Sequence, residues 1–364
     1  MITIAVDAHG GDYAPNEIIK GVIKAVEENN DIEILLVGVK EKIKPILDTF
    51  KIQEHKKIKL IESKEIIGMA DNPVTSIRRK KNSSIHIGLK LVKEKKASSF
   101  FSAGNTGAVM ATAKLILNTL EGVERPAIAT IMPNITGHFV MLDVGANIQC
   151  KPIHYIQFAI MGSIYSKIML HKNNPRVGLL SIGEEAVKGN DLLKTVHTLL
   201  NEMGVLNFIG NVEAKELFRD TCDVVVTDGF TGNIALKTSE SAAWYISTLL
   251  KEELSKNIPS KIAALLAKPV FKRLKKRADY EEYGGALLIG VDGITIIGHG
   301  SSNAYAVKNA IGVAKELAKN NINQKITEQI YSIYGDLLKT EKYSAFWHNL
   351  KERIKNMTLK HFRE

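Results

Sequence analysis

The stretch CDVVVTDGFTGNIALK, at residues 222–237, constrains the fold of this chain more than any other. Its three consecutive valines, Val224 to Val226, are typical of a strand that is buried on both faces of a parallel sheet. Asp228 ends this strand, a turn with two glycines follows, and a helix is predicted to begin near Asn233. The succession of strand, glycine turn and helix predicts an α/β fold. It also brings backbone N–H groups and polar side chains together as in anion-binding sites, although tight packing explains a single turn of this kind equally well.

Five other predicted strands end in the same way. Each runs into a turn that combines glycine with Asp, Asn, Ser, His or Glu, and these strands lie at 2–7, 98–102, 139–143, 176–181 and 294–298. In open α/β sheets the ligand lies outside the carboxyl ends of the strands. The sequence therefore predicts one ligand site, at one edge of the sheet, lined by all six turns.

Apolar side chains recur with the period of a helix between these strands, for example at 16–28, 106–117 and 191–203. The alternation of strands and helices predicts a doubly wound, mostly parallel sheet. One exception is expected, because the segments 127–132 and 138–142 flank the turn signal PNITG, which is typical of an antiparallel pair.

A further strand is predicted at 205–209, directly after the helix at 191–203. The polar tetrapeptide GNVE, at 210–213, follows it and is interpreted as the turn that ends this strand.

Length and cysteine content narrow the class of protein. The 364 residues are enough for one large α/β domain or two lobes, and no apolar run reaches the roughly 18 residues of a spanning helix. The first residues enter a strand directly, so no signal peptide is predicted. The two cysteines, Cys150 and Cys222, have no CxxC spacing, which disfavours a structural zinc site and suits a reducing cytoplasm. We therefore expect a cytoplasmic protein.

The formal net charge of +10 has several explanations. Nucleic acid, an anionic membrane surface, or an acidic protein or phosphate substrate would each favour it, and so would a generally basic proteome. Because aromatic residues make up only 6% of the chain and do not alternate with basic residues, nucleic acid is disfavoured.

A helical hairpin is predicted at about 240–277, and a basic amphipathic tail at 333–364 follows a domain that spans 1–332. The second hairpin helix combines apolar residues with a basic flank, which is typical of a segment that lies on a membrane surface. A contact between two subunits would explain this composition equally well. The side chains predicted to contact the membrane are Ile262, Leu265, Leu266 and Phe271.

The predicted strand ends lack several well-known catalytic motifs. The chain has no GxSxG, no HExxH and no GxGxxG fingerprint, which disfavours a serine hydrolase, a zinc protease and a dinucleotide-binding enzyme. What remains is suited to positioning an anion and stabilising an oxyanion, with no protein nucleophile required. These residues are Asn105, Asn147, Asn233, Asp12, Asp143, Asp228, Glu184, Glu185, Lys188 and His299.

Eight segments in order resemble the bacterial phosphate acyltransferase family of phospholipid synthesis. The resemblance runs from the first strand to about residue 320 and leaves the tail uncovered. The segments are DAHGGDYAP (7–15), SAGNTGA (102–108), DVGAN (143–147), RVGLLSIGEEAVKG (176–189), GNVEAKELF (210–218), DVVVTDGFTGNIALK (223–237), DYEEYGGALLIGVDG (279–293) and GHGSSNA (298–304).

This resemblance implies transfer of a fatty acyl group from acyl carrier protein to inorganic phosphate, which forms acyl phosphate. It implies a three-layer α/β/α, two-lobed architecture like that of isopropylmalate dehydrogenases and phosphate acetyltransferases, with a protruding hairpin. It also implies a homodimer, peripheral attachment to the inner face of the cell membrane and supply of a membrane glycerol-3-phosphate acyltransferase. No metal or other cofactor is implied.

The resemblance also implies roles for single residues. Lys188 would hold phosphate or offset developing charge, and Asn233 would donate to the carbonyl oxygen. The residues implied to line the phosphate and acyl-thioester sites are Asp12, Ser102, Gly104, Asn105, Thr106, Asp143, Gly145, Asn147, Glu184, Asp228, Gly232 and His299.

Two positions depart from the family pattern, which usually has Met in place of His9 and Asn in place of Ser181. His9 lies in a site turn, so either an anion-binding role or a tolerated substitution explains it. Two other functions also remain open. A dehydrogenase of the isopropylmalate type would need a nicotinamide pocket and a metal held by aspartates, and a membrane scaffold without catalysis would not need the site motifs.

Overall fold

The computed structural model describes residues 1–50, 56–278 and 282–339, and within these ranges eleven strands form one continuous sheet. The strands are β1 (Ile2–Asp7), β2 (Ile32–Gly38), β3 (Ile58–Glu62), β4 (Ser99–Ser102), β5 (Ala127–Pro133), β6 (His138–Leu142), β7 (Arg176–Ser181), β8 (Asn207–Glu213), β9 (Val224–Val226), β10 (Ala286–Ile289) and β11 (Ile294–Ile297).

The helices of the same ranges cover both faces of this sheet. They are α1 (Asn16–Glu28), α2 (Lys40–Thr49), α3 (Pro73–Arg79), α4 (Ser84–Lys93), α5 (Thr106–Leu117), α6 (Pro152–Met169), α7 (Asp191–Met203), α8 (Gly229–Ser255), α9 (Ile258–Ala278), α10 (Ala304–Lys319) and α11 (Ile322–Lys339).

Alternation along the strands explains the three layers. In β9, Val224 and Val226 belong to the core beneath α1, α6, α7, α10 and α11, whereas Val225 belongs to the core beneath α4 and α5. Because successive side chains of a strand point to opposite faces, an apolar run needs helices on both sides. The predicted three-layer α/β/α fold is confirmed.

The strand order β3-β2-β1-β4-β11-β10-β5-β6-β9-β7-β8 contains a reversal of direction at its centre. The strands β3, β2, β1, β4 and β11 are mutually parallel, and so are β6, β9, β7 and β8. Three antiparallel pairings, β11 with β10, β10 with β5 and β5 with β6, separate the two sets. The two parallel halves therefore run in opposite directions. The antiparallel pair predicted around PNITG is β5 and β6.

The strand predicted at 205–209 extends further than its sequence indicates. β8 runs from Asn207 to Glu213, so the polar residues interpreted as a turn lie inside the sheet. Its pairing with β7 shifts register next to Gly178, which pairs with Gly210. Gly210 has a φ of +96°, a conformation that side chains disfavour. The glycine thus absorbs an irregularity of the ladder and allows the strand to continue.

The predicted hairpin corresponds to α8 and α9, which pack against each other. From residue 240 onwards, its exposed large apolar side chains among the described residues are Trp244, Tyr245, Ile246, Leu249, Leu250, Ile258, Ile262, Leu265, Leu266, Val270 and Leu274. Phe271, the fourth predicted membrane contact, is partly buried. At about 100° per residue it lies roughly 120° around α9 from Leu265. Of the four predicted membrane residues, Ile262, Leu265 and Leu266 share one exposed side.

No helix among the described residues is long and apolar enough to cross a membrane. At the other end of the chain, α11 continues through the predicted boundary between residues 332 and 333. The rest of the predicted tail, 340–364, lies outside the described residues.

The Asp223 carboxylate stabilises the amino ends of β7 and β9. It accepts hydrogen bonds from the backbone N–H and the Nε of Arg176, at 2.9 and 3.0 Å, and Lys172 Nζ lies 3.1 Å away. Burial alone would raise the pKa of Asp223, but the bonds from Arg176 and Lys172 outweigh it and lower the pKa from 3.8 to about 2. Such a shift corresponds to about 2 kcal/mol of stability above pH 4, which is lost as the pH falls through 2.

We therefore expect Asp223→Asn to lower the free energy of unfolding at pH 7 by about 2 kcal/mol. Urea denaturation at pH 7 and at pH 2.5 measures the effect. The difference from the parent should shrink at pH 2.5, because the parent carboxylate is then partly protonated. A difference independent of pH would contradict this account.

Candidate active site

The six predicted glycine turns do not share one edge of the sheet. The turns after β1, β4 and β11 lie at one edge, here called the Ser102 edge. The turns after β6, β7 and β9 lie at the opposite edge, here called the Lys188 edge, because these strands run the other way. The prediction of a single edge is wrong, and the cause is the central reversal of strand direction.

At the Ser102 edge, two predicted site residues hold their own turns together. The buried Ser102 hydroxyl donates to Asp7 Oδ2 at 2.7 Å and accepts the N–H of Gly104 at 3.0 Å. Asn105 caps α5, since its Oδ1 accepts the N–H of Ala108 at 3.0 Å. Its Nδ2 donates to the carbonyl oxygens of two loop residues, 69 and 71. These polar groups are occupied by the fold.

Three other predicted residues of this edge are exposed. Thr106 is the first residue of α5, and its hydroxyl has no hydrogen bond among the described residues. Asp12 lies beside Gly300, and its N–H donates to the Gly300 carbonyl at 2.7 Å. His299 Nδ1 lies 2.7 Å from the hydroxyl of Ser301. Their predicted role in binding substrate stays a prediction.

His9 has a structural role. Its Nε2 accepts the N–H of Val39 at 2.9 Å, which requires an unprotonated nitrogen. Burial lowers the pKa of His9, and the nearby Lys42 adds to this effect against the opposing charge of Asp7. A neutral imidazole that faces the β2 end is unsuited to holding an anion.

At the Lys188 edge, the Asp143 carboxylate organises the turn after β6. It is fully buried and accepts the N–H groups of Ile128, Gly145, Ala146 and Asn147 at 2.7 to 3.1 Å, together with Asn147 Nδ2 at 2.9 Å. Burial raises its pKa, and the hydrogen bonds from Ala146, Ile128, the Asn147 amide and Gly145 oppose the rise. Asp143 is therefore enclosed by its own turn and does not face a ligand.

The turns after β6 and β9 pack directly against each other. Asn147 Nδ2 also donates to the Pro126 carbonyl, and the Asn147 carbonyl accepts the N–H of Gly229 at 2.8 Å. A Cβ on Gly232 would lie 2.0 Å from the Asp143 carbonyl oxygen, so only glycine fits there. Asn147 and Gly232, both predicted to bind substrate, lie where the two turns meet and hold them in place.

The helix after β9 begins at Gly229, four residues earlier than predicted, and Asp228 is its cap. Asp228 Oδ1 accepts the N–H groups of Phe230 and Thr231 at 3.0 and 2.8 Å, and its Oδ2 accepts the Tyr155 hydroxyl at 3.2 Å. The first N–H groups of α8 therefore have acceptors already. The prediction that this turn presents bare N–H groups is wrong, because the side chain that ends the strand also caps the helix.

Bare N–H groups lie instead in the loop after β7. In the part of the chain that the structure describes, the backbone N–H groups of residues 182–187 have no acceptor. Lys188 lies at the end of this loop with an exposed side chain and has no ion pair within the same ranges. By contrast, Glu184 lies 3.7 Å from Lys215, which also pairs with Glu213. An unpaired cation beside free backbone donors is an arrangement suited to an anion.

Asn233 is placed in the second turn of α8 and faces the turn after β6. Its Oδ1 lies 4.0 Å from where a Cβ of Gly145 would be. It is half buried, and its amide has no hydrogen bond among the described residues. Since Asp228 caps the helix, capping does not explain Asn233.

Two side chains at this edge were missed as parts of the site. Asn211, in β8, donates to the Glu185 carbonyl of the Lys188 loop at 2.8 Å, and Tyr155, in α6, contacts Asp228. Asn211 belongs to GNVE, which the sequence predicts to be a turn, whereas the structure places it on a strand. Nothing in the periodicity of α6 distinguishes Tyr155 from other buried residues. Among the described residues there is no cluster of three His, Cys, Asp or Glu side chains suited to a metal ion.

Comparison with known proteins assigns this chain to a family. The profile of a family described as "Fatty acid synthesis protein" matches residues 2–325. A phosphate acyltransferase from Halothermothrix orenii is 49% identical over 328 residues, which cover 90% of this chain and 98% of that protein. A phosphate acyltransferase from Clostridium tetani is 46% identical over 91% of this chain and 98% of its own length. The chain belongs to the phosphate acyltransferase family.

Solved structures with similar folds agree with the three-layer architecture. A phosphotransacetylase from Streptococcus pyogenes superposes with a TM-score of 0.58 at 16% identity and covers 88% of this chain and 94% of its own. One from Staphylococcus aureus gives a TM-score of 0.55, also at 16% identity, over 87% of this chain and 94% of its own. At such low identity the likeness concerns the fold alone. The predicted family and the enzyme class that it implies are confirmed.

Proposed function

We propose that this phosphate acyltransferase moves a fatty acyl group from the thioester of acyl carrier protein to inorganic phosphate at the Lys188 edge. The product is acyl phosphate for phospholipid synthesis, and the reaction is reversible. The observation that carries this assignment is the unpaired Lys188 beside the free N–H groups of residues 182–187. Glycine-rich loops with a lysine are typical binding sites for phosphate.

Phosphate needs positioning more than activation, because it is already an anion at neutral pH. In the proposed reaction, one phosphate oxygen attacks the thioester carbonyl carbon and forms a C–O bond. The carbonyl electrons move to oxygen, and they return when the C–S bond breaks. The carrier thiolate leaves with the bonding pair. Lys188 and the loop N–H groups hold the phosphate during these steps.

The carbonyl oxygen carries a negative charge in the tetrahedral intermediate and needs a donor. The Asn233 amide can supply one, because it lies at the neighbouring strand end and has no competing hydrogen bond within the described ranges. Asn233 lies beside the turn after β6, which the hydrogen bonds between Asp143 and Asn147 hold in place. No residue of the protein needs to act as a nucleophile.

Charge complementarity supports acyl carrier protein as the proposed acyl donor. The chain carries a formal net charge of +10, and acyl carrier protein is acidic. Complementary charge speeds the encounter of such partners.

Incubation with palmitoyl-acyl carrier protein, with and without phosphate, tests the proposal. We expect acyl phosphate by mass spectrometry only when phosphate is present, together with release of the free carrier thiol. A parallel reaction with palmitoyl-coenzyme A shows whether the carrier protein is required. Thioester loss that is independent of phosphate, with no acyl phosphate formed, would reject the function.

Asn233→Asp is expected to be more damaging than Asn233→Ala. Loss of one oxyanion donor costs about 10²–10³ in rate. A carboxylate in the same place also repels the phosphate and the oxyanion. We therefore expect Asn233→Asp to be about tenfold slower than Asn233→Ala, which corresponds to about 1.4 kcal/mol in the activation free energy. Rates of acyl phosphate formation by the two variants measure the difference, and thermal denaturation checks that both fold. Equal rates would show that Asn233 does not face developing charge.

The hairpin is proposed to serve two surfaces. Ile262, Leu265 and Leu266 lie on one exposed side of α9, whereas Tyr245 and Leu249 are exposed on α8. Large exposed apolar patches mark interaction sites. We assign the α9 side to an anionic membrane surface and the α8 side to a second copy of the chain, which makes a peripherally attached, cytoplasmic homodimer. Attachment there would deliver acyl phosphate to a membrane glycerol-3-phosphate acyltransferase.

A further inference from the structure

The Glu185 carbonyl is the point at which β8 holds the loop after β7. This oxygen accepts two hydrogen bonds, one from Asn211 Nδ2 at 2.8 Å and one from the backbone N–H of Lys188 at 3.0 Å. The first comes from a rigid strand and the second from the residue that carries the free cation. The Asn211 side chain and the backbone N–H of Lys188 therefore share one acceptor, the Glu185 carbonyl oxygen.

Asn211 is well placed to transmit rigidity. It is 92% buried, because its exposed fraction is 8%, and it lies in β8 opposite Leu179 of β7. Ser181, two residues further along β7, lies on the same face, and Gly189 at the end of the loop packs over its hydroxyl. The loop thus folds back over the face on which Asn211 lies. Asn211, on a strand that pairs with β7, holds the middle of the loop through one hydrogen bond.

A second tie runs beside the first. Lys215, which follows β8, lies 2.8 Å from Glu213 and 3.7 Å from Glu184. It offsets the charge of Glu184, one of the two acidic residues of the loop. The end of β8 therefore contacts the loop at two places, the Glu185 carbonyl and the Glu184 carboxylate.

We propose that Asn211 is a positioning residue for the phosphate-binding loop, which acts through the Glu185 carbonyl to hold Lys188 and the N–H groups of residues 182–187 in place. This inference rests on the proposed function. It adds a residue from a neighbouring strand that touches neither phosphate nor the acyl donor. Replacing Asn211 should therefore weaken the use of phosphate and leave the KM for the acyl donor unchanged.

Steady-state kinetics of Asn211→Ala provide the first test. We expect kcat/KM for phosphate to fall about tenfold, the usual effect of one buried hydrogen bond, while KM for the acyl donor stays unchanged. Asn211→Asp should lose more, about 100-fold, because a carboxylate cannot donate to the Glu185 carbonyl and repels phosphate. An equal loss for both substrates would indicate a general structural effect and overturn the proposal.

Asn207→Ala is a matched control on the same strand. Asn207 Nδ2 donates to the Asn174 carbonyl at 3.2 Å, so it also ties β8 to a loop, but at the opposite edge of the sheet. Its loss should leave the kinetics unchanged. A fall in kcat/KM for phosphate as large as that of Asn211→Ala would contradict a specific role for Asn211.

A double-mutant cycle gives the sharpest result. Because Asn211 is proposed to act partly through Lys188 and partly through the loop N–H groups, Asn211→Ala should cause a clearly smaller loss in the Lys188→Ala background than in the parent. Independent contributions would multiply instead, and that outcome would overturn the inference.

Phosphate binding measured by calorimetry without any acyl donor separates this inference from the proposed function. A parent that binds phosphate but forms no acyl phosphate would reject the function, and weaker binding by Asn211→Ala would still support the positioning role. A parent and an Asn211→Ala variant with equal phosphate affinity would reject the positioning role. A parent that does not bind phosphate would reject both.

Discussion

Lys188→Ala is expected to lower the rate of acyl phosphate formation by about 10²–10³-fold, or on the order of 3–4 kcal/mol. Lys188 is an exposed lysine at the end of a loop whose N–H groups are unpaired, and it has no ion pair in the described part of the chain. The reaction joins an anion to a carbonyl that also becomes negative. Removing the only side-chain cation assigned to this step should therefore raise the barrier, with little effect on folding.

Two further variants sharpen this test. Lys194→Ala removes the same charge from α7, where the lysine pairs with Asp191 on the surface, and should keep the parent rate. Lys188→Arg keeps the charge and should recover part of the activity. Rates are measured by phosphate-dependent release of the carrier thiol. If Lys188→Ala retains more than about half the parent rate, Lys188 does not carry the proposed role.

Leu265→Glu with Leu266→Glu is expected to release the protein from anionic vesicles without lowering its activity in solution. Both leucines are exposed on α9, and Lys272 and Arg273 follow on the same side about two turns later. Burial of two leucines contributes roughly 1.5–3 kcal/mol each. A basic residue near an anionic surface adds about 1 kcal/mol, which decreases with salt. Because neither contribution alone holds the protein firmly, the double variant should bind vesicles at least about 10²-fold more weakly.

Sedimentation with and without vesicles measures this release. Leu115→Glu with Val205→Glu is the matched control, since it adds the same charge at exposed apolar positions outside the hairpin and should keep vesicle binding. The alternative is that the two leucines lie in a subunit contact. It predicts dissociation or insolubility of the double variant in the absence of lipid. A soluble dimer that still sediments with vesicles would exclude the membrane role of these leucines.

Much of the fold could be predicted from local patterns. The three valines of β9 and the alternating segments on either side identified a buried parallel strand and a layered α/β fold, because side-chain periodicity reflects burial. PNITG identified the β5–β6 pair for the same local reason. The sequence pattern places the beginning of α8 four residues too late, since it identifies Asp228 only as the end of a strand. One carboxylate can end a strand and cap the following helix.

The site was harder to predict, because the type of a polar residue does not reveal its hydrogen-bond partners. Asp143 and Asn147 have side chains of the type expected in a ligand site, yet their polar groups form hydrogen bonds with each other and with the backbone. The side chains of Lys188 and Asn233 have no ion pair or hydrogen bond among the described residues. They are also the two residues for which the family resemblance implies a catalytic role. Asn211 was misplaced, because the bulge at Gly210 that keeps it in the sheet depends on pairing with β7.

By itself, the sequence determined the family, the α/β class and the kind of chemistry that the turns can support, because local patterns and motif spacing carry that information. Only the tertiary structure decided which turns are neighbours. A strand that ends in a glycine turn looks the same in either direction, and the direction depends on which strand it pairs with. The antiparallel pairings around β10 and β5 reverse half of the sheet. They therefore place Lys188 and Asn233 at one edge and Ser102 and His299 at the other.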